Sequence, residues 1–107
     1  MEAKKNCIWK AAVKFLEAKP ILVSDSRSGL LSTDWFEEPN TQNQRKKINI
    51  VISGRGKSLA ATVTVFKQTM TAGMWRDAGT DAQESARIAE QLGKAADNEG
   101  CAEDDKE

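Results

Sequence analysis

The residue types that most often perform chemistry in proteins are scarce in this sequence. Its 107 residues include no histidine and no tyrosine, so the usual general base near neutral pH and the commonest metal ligand are both missing. Cys7 and Cys101 lie far apart and lack the second ligand pair of a zinc site. We therefore predict no catalytic residue, no metal site, no cofactor and no small-molecule substrate, and hence no enzyme.

Two acidic residues, Asp25 and Asp34, are the candidates for a catalytic carboxylate pair. Acid–base catalysis would require both side chains to converge in one cleft. Asp25 opens the segment Asp25–Gly29, which has the composition of a turn, and Asp34 lies at the end of a predicted strand. Side chains of this kind commonly accept hydrogen bonds from nearby backbone. We interpret both aspartates as local structural residues.

The segment Gly54–Ser58 reads Gly-Arg-Gly-Lys-Ser and invites comparison with a phosphate-binding loop. The true motif has four residues between the first glycine and the Gly-Lys pair, and it must open a helix. Here the β-branched run Thr62–Val65 follows, which favours a strand. We predict a hairpin turn.

Charge is unevenly distributed along the chain. Residues 40–76 contain seven basic and no acidic side chains, whereas residues 77–107 contain three basic and ten acidic ones. Five cations make up a candidate anion-binding patch on the predicted hairpin: Arg45, Lys46, Lys47, Arg55 and Lys57. Neutralisation of the sheet by the acidic C-terminal segment is the simpler interpretation. Nucleic acid is an unfavoured partner, because exposed aromatic residues for base stacking are few.

The two cysteines are the remaining reactive groups. A disulfide between Cys7 and Cys101 would connect the start of a helix to an acidic tail. We expect two free thiols, and the disulfide is the less favoured alternative.

Hydrophobic periodicity predicts the elements that would position these residues. Helical spacing indicates a first helix over Cys7–Lys19, capped by Asn6 and ended by Pro20, and a second helix that begins at Thr80 with a capping box. Period-two segments between them predict an antiparallel sheet of four or five strands, including an edge strand at Met74–Arg76.

The predicted fold class is α+β, with both helices on one face of the sheet in the order α-β-β-β-β-(β)-α, a helix-grip-like layout. We expect a flexible N-terminus (1–6), a single domain (7–97) and a disordered acidic tail (98–107). No signal peptide is expected, because Met1-Glu-Ala-Lys-Lys-Asn lacks an apolar core region. No transmembrane segment is expected, because the longest uncharged apolar-rich run, Ser58–Phe66, is far shorter than the roughly 20 residues of a membrane span.

Strand alternation assigns faces to the side chains. Ile48, Ile50 and Ile52 are predicted to face the core. Strict alternation places Trp35 on the core face and Leu30, Phe36 and Phe66 on the opposite face, where an exposed apolar patch would indicate a partner surface. That candidate surface consists of Trp35, Phe36, Phe66 and Trp75. A bulge that turns the aromatic rings inward, or cover of these rings by the loop, is an equally supported alternative.

Several spaced residues together resemble a known family. They are Trp9-Lys-Ala11, Pro20, Ser24-Asp25, Gly29, Thr33-Asp-Trp-Phe36, Pro39, Arg45-Lys-Lys47 and Val65-Phe-Lys-Gln68. Over roughly Cys7–Asp77, this set resembles the alphaproteobacterial family known as domain of unknown function 3576. The layout is also similar to the helix-grip domains of the outer-membrane assembly lipoprotein BamC.

The resemblance implies an envelope lipoprotein on the periplasmic side of the outer membrane, with an envelope protein as partner. A lipid anchor would provide the membrane association, although Cys7 follows Lys4-Lys-Asn6 rather than the small apolar residues of a lipid-anchoring motif. The turn also reads Arg27-Ser-Gly29 where the family pattern has two glycines. The implied function is non-enzymatic protein binding, with outer-membrane protein assembly as the suggested process. A binding module for an anionic ligand, either a lipid head group or nucleic acid, is the alternative.

Overall fold

The computed structural model describes residues 3–97 and Cys101. The elements are α1 (Ala3–Phe15), β1 (Ile21–Asp25), β2 (Leu30–Thr33), β3 (Gln44–Ser53), β4 (Ala60–Thr71), β5 (Met74–Thr80) and α2 (Ala82–Gly93), with 3-10 turns at Gly56–Ser58 and Lys94–Asp97. The strands form one antiparallel sheet in the order β1-β2-β3-β4-β5. The predicted α+β class and layout are confirmed.

Both helices contribute to one hydrophobic core on one face of the sheet. Its buried members are Ile8, Ala12, Leu16, Leu31, Ile48, Ile50, Ile52, Val63, Val65, Ile88 and Leu92. The three isoleucines of β3 are at most 2% exposed, which confirms their predicted orientation. Burying each such side chain contributes roughly 1.5–3 kcal/mol before conformational entropy is counted.

The helix boundaries differ from the prediction. α1 begins at Ala3 and ends at Phe15, so residues 3–6, predicted to be flexible, are helical, and Asn6 lies inside the helix rather than capping it. Met1 and Glu2 lie outside the described residues. α2 begins after Asp81, whose carboxylate accepts a hydrogen bond from the Glu84 backbone N–H. Thr80, the predicted cap, is instead the last residue of β5.

Cys7 and Cys101 form a disulfide, with their Cα atoms 6.1 Å apart. The expectation of free thiols is therefore wrong. The turn at Lys94–Asp97 packs against α1, which brings the chain back to the start of the first helix, and Cys101 is buried there. The rest of the predicted acidic tail, residues 98–100 and 102–107, lies outside the described residues.

The long β3–β4 hairpin gives the molecule its shape, which measures 56 × 23 × 22 Å. The two strands pair from Gln44–Thr69 at one end to Ser53–Ala60 at the other. The buried core residues of β3, Ile48 to Ile52, lie toward the Ser53 end of this ladder, so the end near Gln44 and the β4–β5 turn extends past the core. Within the described part of the chain, every helix is too short or too polar to cross a membrane.

Candidate functional site

The face of the sheet opposite the helices, called the outer face below, carries an ordered row of polar side chains. Arg45 of β3 pairs with Gln68 of β4, and Gln68 pairs with Asp77 of β5. Because side chains alternate along a strand and Ile48 faces the core, these residues point away from the helices. Phe66 occupies the next outer position of β4.

Arg45 lies between two indole rings on this face. Its guanidinium carbon is 5.0 Å from the ring centre of Trp35 and 4.3 Å from that of Trp75. Arginine stacked on tryptophan is attracted by the negative face of the ring, by roughly 0.5–2 kcal/mol per contact. We call these three residues the tryptophan stack.

Hydrogen bonds fix the rotation of the arginine within the stack. The Arg45 Nε–H donates to Gln68 Oε1 at 2.7 Å, and Gln68 Nε2 donates to Asp77 Oδ1 at 2.9 Å. The carboxylate orients the amide, which in turn orients the guanidinium. This chain of contacts makes the tryptophan stack a preorganised group rather than a set of mobile surface side chains.

An irregularity after β2 places Trp35 in the stack. The Asp34 carboxylate accepts a hydrogen bond from the Trp35 N–H at 2.8 Å, and Phe36 then pairs with Lys46 in an isolated bridge. Strict alternation predicted Trp35 on the core face and Phe36 on the outer face. The structure reverses this assignment, because a one-residue irregularity moves every following side chain to the other face.

Phe36 therefore does not belong to the outer face. It packs against the core, with the Lys19 Nζ atom 4.6 Å from its ring centre. Phe66 is 37% exposed, and Trp35 and Trp75 are half-buried. Of the predicted partner surface, Trp35, Phe66 and Trp75 come together on the outer face. Phe36 instead faces the core, as in the alternative prediction that an irregularity in the strand turns a ring inward.

The five cations of the predicted anion patch do not form one surface. Arg45 and Lys47 share the outer face, whereas Lys46 points to the helix side. Arg55 and Lys57 lie at the opposite end of the hairpin, beside the Gly56–Ser58 turn. At about 3.3 Å per residue, the ten residues from Arg45 to Arg55 separate them by roughly 30 Å.

Lys46 is engaged by acidic residues. Its Nζ atom lies 2.7 Å from Glu84 Oε2 and 3.7 Å from Glu38 Oε1. The hydrogen bond to Glu84 raises the pKa of Lys46 above its ordinary value of 10.5, although partial burial opposes the change. Lys46 therefore connects β3 to α2 as a structural cation.

A cavity of about 210 Å³ adjoins the tryptophan stack. It is lined by Trp35, Phe66, Lys67, Asp77, Gly79 and Thr80. It lies where the β4–β5 register shifts between Phe66 and Gln68, because the extra residue in β5 opens space beside the Phe66 ring. An apolar side chain of modest size would fit between Trp35 and Phe66.

The candidate carboxylates Asp25 and Asp34 do not converge. Asp25 accepts hydrogen bonds from the backbone of Arg27 and Ser28, and Asp34 accepts one from Trp35. They lie near opposite ends of the β1–β2 hairpin. The segment Gly54–Ser58 turns into β4 rather than opening an α-helix, as predicted. Within residues 3–97 and Cys101, no cluster of metal-ligating side chains is present.

The sequence interpretation missed Gln68 and Asp77 as members of the site. Gln68 belongs to the Val65-Phe-Lys-Gln68 element that carried the family resemblance. A correct hairpin register would have placed it opposite Arg45. Asp77 lies one residue past the predicted edge strand Met74–Arg76, and the regular register from the β4–β5 turn places it opposite Gln68.

The fold and this outer face define a small antiparallel-sheet domain, covered on one face and bearing an aromatic and cationic cluster on the other. The family described as Domain of unknown function (DUF3576) matches residues 3–98. The chain belongs to that family. The match extends past the resembling segment, roughly Cys7–Asp77, at both ends.

Comparison with other proteins adds one relative. The uncharacterized protein RP420 of Rickettsia prowazekii (strain Madrid E) is 30% identical over 69 residues, which are 64% of this chain. The matching segment covers 41% of that relative's length, so the chain spans less than half of it. No solved structure matches the chain significantly.

Proposed function

We propose that this chain is a non-enzymatic protein-interaction module whose docking surface is the outer face around the tryptophan stack and Phe66. The observation that carries the proposal is that two half-buried tryptophans and a 37% exposed phenylalanine gather on the face the helices leave open. Tryptophan and arginine are the residues most enriched at the energetic centres of protein interfaces. Their preorganisation lowers the entropy lost on binding.

The absence of enzymatic activity is part of the proposal. The sequence has no histidine or tyrosine, and Asp25 and Asp34 each accept local backbone hydrogen bonds. A carboxylate held in this way is positioned for the turn or strand end that it stabilises. The aromatic and cationic groups of the outer face are suited to binding a partner protein.

We further propose that the module works in the bacterial envelope, as part of a periplasmic lipoprotein at the outer membrane that contributes to outer-membrane protein assembly. The helix-grip-like layout and the family resemblance predicted from the sequence motivate this role. The Cys7–Cys101 disulfide supports it, because structural disulfides persist mainly in oxidising compartments such as the periplasm. Fractionation of cells that express the full-length gene, with alkylation of free thiols before lysis, tests the location. A reduced protein in the cytoplasmic fraction would contradict it.

The alternative, a module that binds a lipid head group or nucleic acid through Arg45–Lys57, has weaker support. Its cations lie on two faces and at two ends of the hairpin, and Lys46 is paired with Glu84. Binding of anionic vesicles or single-stranded DNA should weaken steeply as salt rises if this alternative holds. Binding of a partner protein through the aromatic surface should weaken little as the salt concentration rises.

Photocrosslinking tests the docking surface directly. We would place benzoylphenylalanine at Phe66 or at Val13 of the full-length protein in its native envelope. Val13 on α1 is the matched control, because it is 41% exposed and lies on the helix side. We expect a discrete crosslinked partner from position 66 only.

Truncation of the surface gives the energetic test. Phe66→Ser and Trp75→Ser should each weaken binding of the crosslinked partner by about 30-fold, the loss typical of a central interface residue, while Val13→Ser should not. Circular dichroism would verify that each variant is folded. Equal crosslinking at positions 66 and 13, or binding unaffected by both aromatic truncations, would overturn the proposed surface.

A further inference from the structure

The outer edge of the Arg45 guanidinium is open. Arginine carries five N–H donors, and the Nε–H is bonded to Gln68. Within residues 3–97 and Cys101, no carboxylate or carbonyl accepts a hydrogen bond from either Nη atom. The two indole rings flank the guanidinium, with their centres 5.0 and 4.3 Å from its carbon, which leaves the edge with the Nη atoms for a ligand to approach.

That edge is preorganised for a planar anion. Two parallel N–H groups of a guanidinium match the two oxygens of a carboxylate in a bidentate pair. The two neighbouring indole rings restrict movement of the side chain, and the contacts through Gln68 to Asp77 limit its rotation. Little side-chain entropy would be lost when a carboxylate binds.

The local charge also favours an acidic ligand. Lys47 lies on the same face two residues along β3. Asp77 is the acidic residue of this cluster, and one of its oxygens already accepts a hydrogen bond from Gln68. The balance of these groups is positive.

The adjoining cavity indicates which kind of side chain lies next to the carboxylate in the partner. Trp35 belongs both to the tryptophan stack and to the lining of the 210 Å³ cavity, which it shares with Phe66. A group that places a carboxylate on Arg45 would therefore direct a neighbouring apolar side chain against these two rings. The other cations of the hairpin are dispersed, with Lys46 paired to Glu84 and Arg55 and Lys57 at its far end, so a phosphate polyanion would meet few of them here.

We infer that Arg45 is the carboxylate-binding residue of the docking surface, and that the partner protein presents an aspartate or glutamate next to an apolar side chain that enters the cavity. This inference rests on the proposed function and names the chemistry of the partner. It assigns Gln68 and Asp77 as positioning residues for Arg45.

The probe for this inference is N-acetyl-phenylalanine, which joins a carboxylate to an aromatic ring. N-acetyl-phenylalaninamide, with the same ring and no charge, is its matched control. Both would be titrated into the isotope-labelled protein while the indole N–H resonances of Trp35 and Trp75 are followed. We expect the acid to bind at least about tenfold more tightly than the amide, because a charge-assisted hydrogen bond is lost in the amide.

Variants separate charge from geometry. Arg45→Gln should abolish the preference for the acid, and Arg45→Lys should retain only a small part of it, because lysine keeps the charge but lacks the planar pair of donors. Lys47→Gln removes a neighbouring charge of the same face and should change the affinity by no more than about threefold.

Several outcomes would overturn the inference. These are equal binding of acid and amide, a preference that survives Arg45→Gln, equally tight binding of inorganic phosphate, or no shift of the indole resonances up to the solubility limit of the acid. If Arg45→Gln leaves binding of the crosslinked partner unchanged while Phe66→Ser weakens it, the proposed function stands and the carboxylate assignment fails. If neither substitution affects it, both fail.

Discussion

At the scale of single residues, the outer face depends on where the backbone departs from regular pairing. The Asp34 carboxylate bonds to the Trp35 N–H, and Phe36 resumes pairing with Lys46. This local contact exchanges the faces of two adjacent aromatic residues. One ring joins the core, and the other stacks on Arg45. A short polar side chain at position 34 thus determines the composition of the candidate docking surface.

Gly29 illustrates a second residue whose role depends on its surroundings. It has φ +73°, and a Cβ at this position would clash with the Ile52 carbonyl oxygen. Gly73 has nearly the same φ, +76°, but no atom lies within 4 Å of the point that a Cβ would occupy there. The two glycines have similar backbone conformations and differ in the space available for a side chain.

We predict that Gly29→Ala lowers the free energy of unfolding by about 2–4 kcal/mol and Gly73→Ala by about 1–2 kcal/mol. The left-handed conformation costs both alanines roughly 1–2 kcal/mol, and displacement of the Ile52 backbone adds to the loss at position 29. Urea unfolding followed by circular dichroism measures both values. Equal losses would show that the contact with Ile52 is relieved at no cost.

At the scale of elements, the first turn of α2 is attached directly to β4. The Val65 N–H donates to Ser85 Oγ, and the Ser85 hydroxyl donates to the Asp81 carbonyl oxygen. The Asp81 N–H donates to the Val65 carbonyl oxygen at 2.9 Å. The Asp81 carboxylate then caps the helix by accepting the Glu84 N–H. The helix start and the sheet therefore stabilise each other.

We predict that Asp81→Ala lowers the urea midpoint at neutral pH, whereas Asp81→Asn lowers it less, because asparagine also caps helices well. The Glu84 N–H holds the pKa of Asp81 below its ordinary 3.8. A depressed carboxyl pKa stabilises the fold above that ordinary value, and this contribution is lost as pH falls through the folded-state value.

The difference between wild type and Asp81→Ala should therefore shrink in strong acid. Urea midpoints measured from neutral pH down to the acid limit of folding would show the trend. A difference that is constant with pH would mean that the carboxylate charge contributes nothing to the cap.

At the scale of the whole molecule, the disulfide connects the two ends of the described chain. Cys7 and Cys101 are separated by 94 residues, so the bond encloses most of α1, all of α2 and the whole sheet in one loop. In the chain-entropy account, closing a long loop restricts the unfolded chain most strongly. Every element is affected, although the contact itself involves only the start of α1 and Cys101.

We predict that reduction of the disulfide lowers the free energy of unfolding by about 2–4 kcal/mol, with little change in secondary structure. The Cys7→Ser/Cys101→Ser double variant should reproduce this loss and should not respond further to reductant. Urea unfolding with and without dithiothreitol provides the comparison. Identical midpoints for the oxidised and reduced wild type would show that the bond does not stabilise the fold.

The sequence predicted the fold more completely than the site. Periodicity located the strands and the buried faces of Ile48, Ile50 and Ile52, since the alternation of side chains is a local property. The helix ends in the structure differ from the predicted ones, because capping side chains and the packing of the first turn determine where a helix begins and ends. The site was predicted only in part: Trp35, Phe66 and Trp75 were identified, but their contact with Arg45 was not.

The amino-acid sequence alone determined the class of the fold, the family resemblance and the scarcity of groups for acid–base chemistry, because these follow from composition and short-range pattern. Only the tertiary structure decided that Cys7 forms a disulfide with Cys101. It also decided that Lys46 pairs with Glu84 rather than joining the other cations, and that Trp35 and Trp75 flank Arg45. These contacts join residues distant in the chain. They depend on hairpin register and on single-residue irregularities, and each of these changes which side chains face one another.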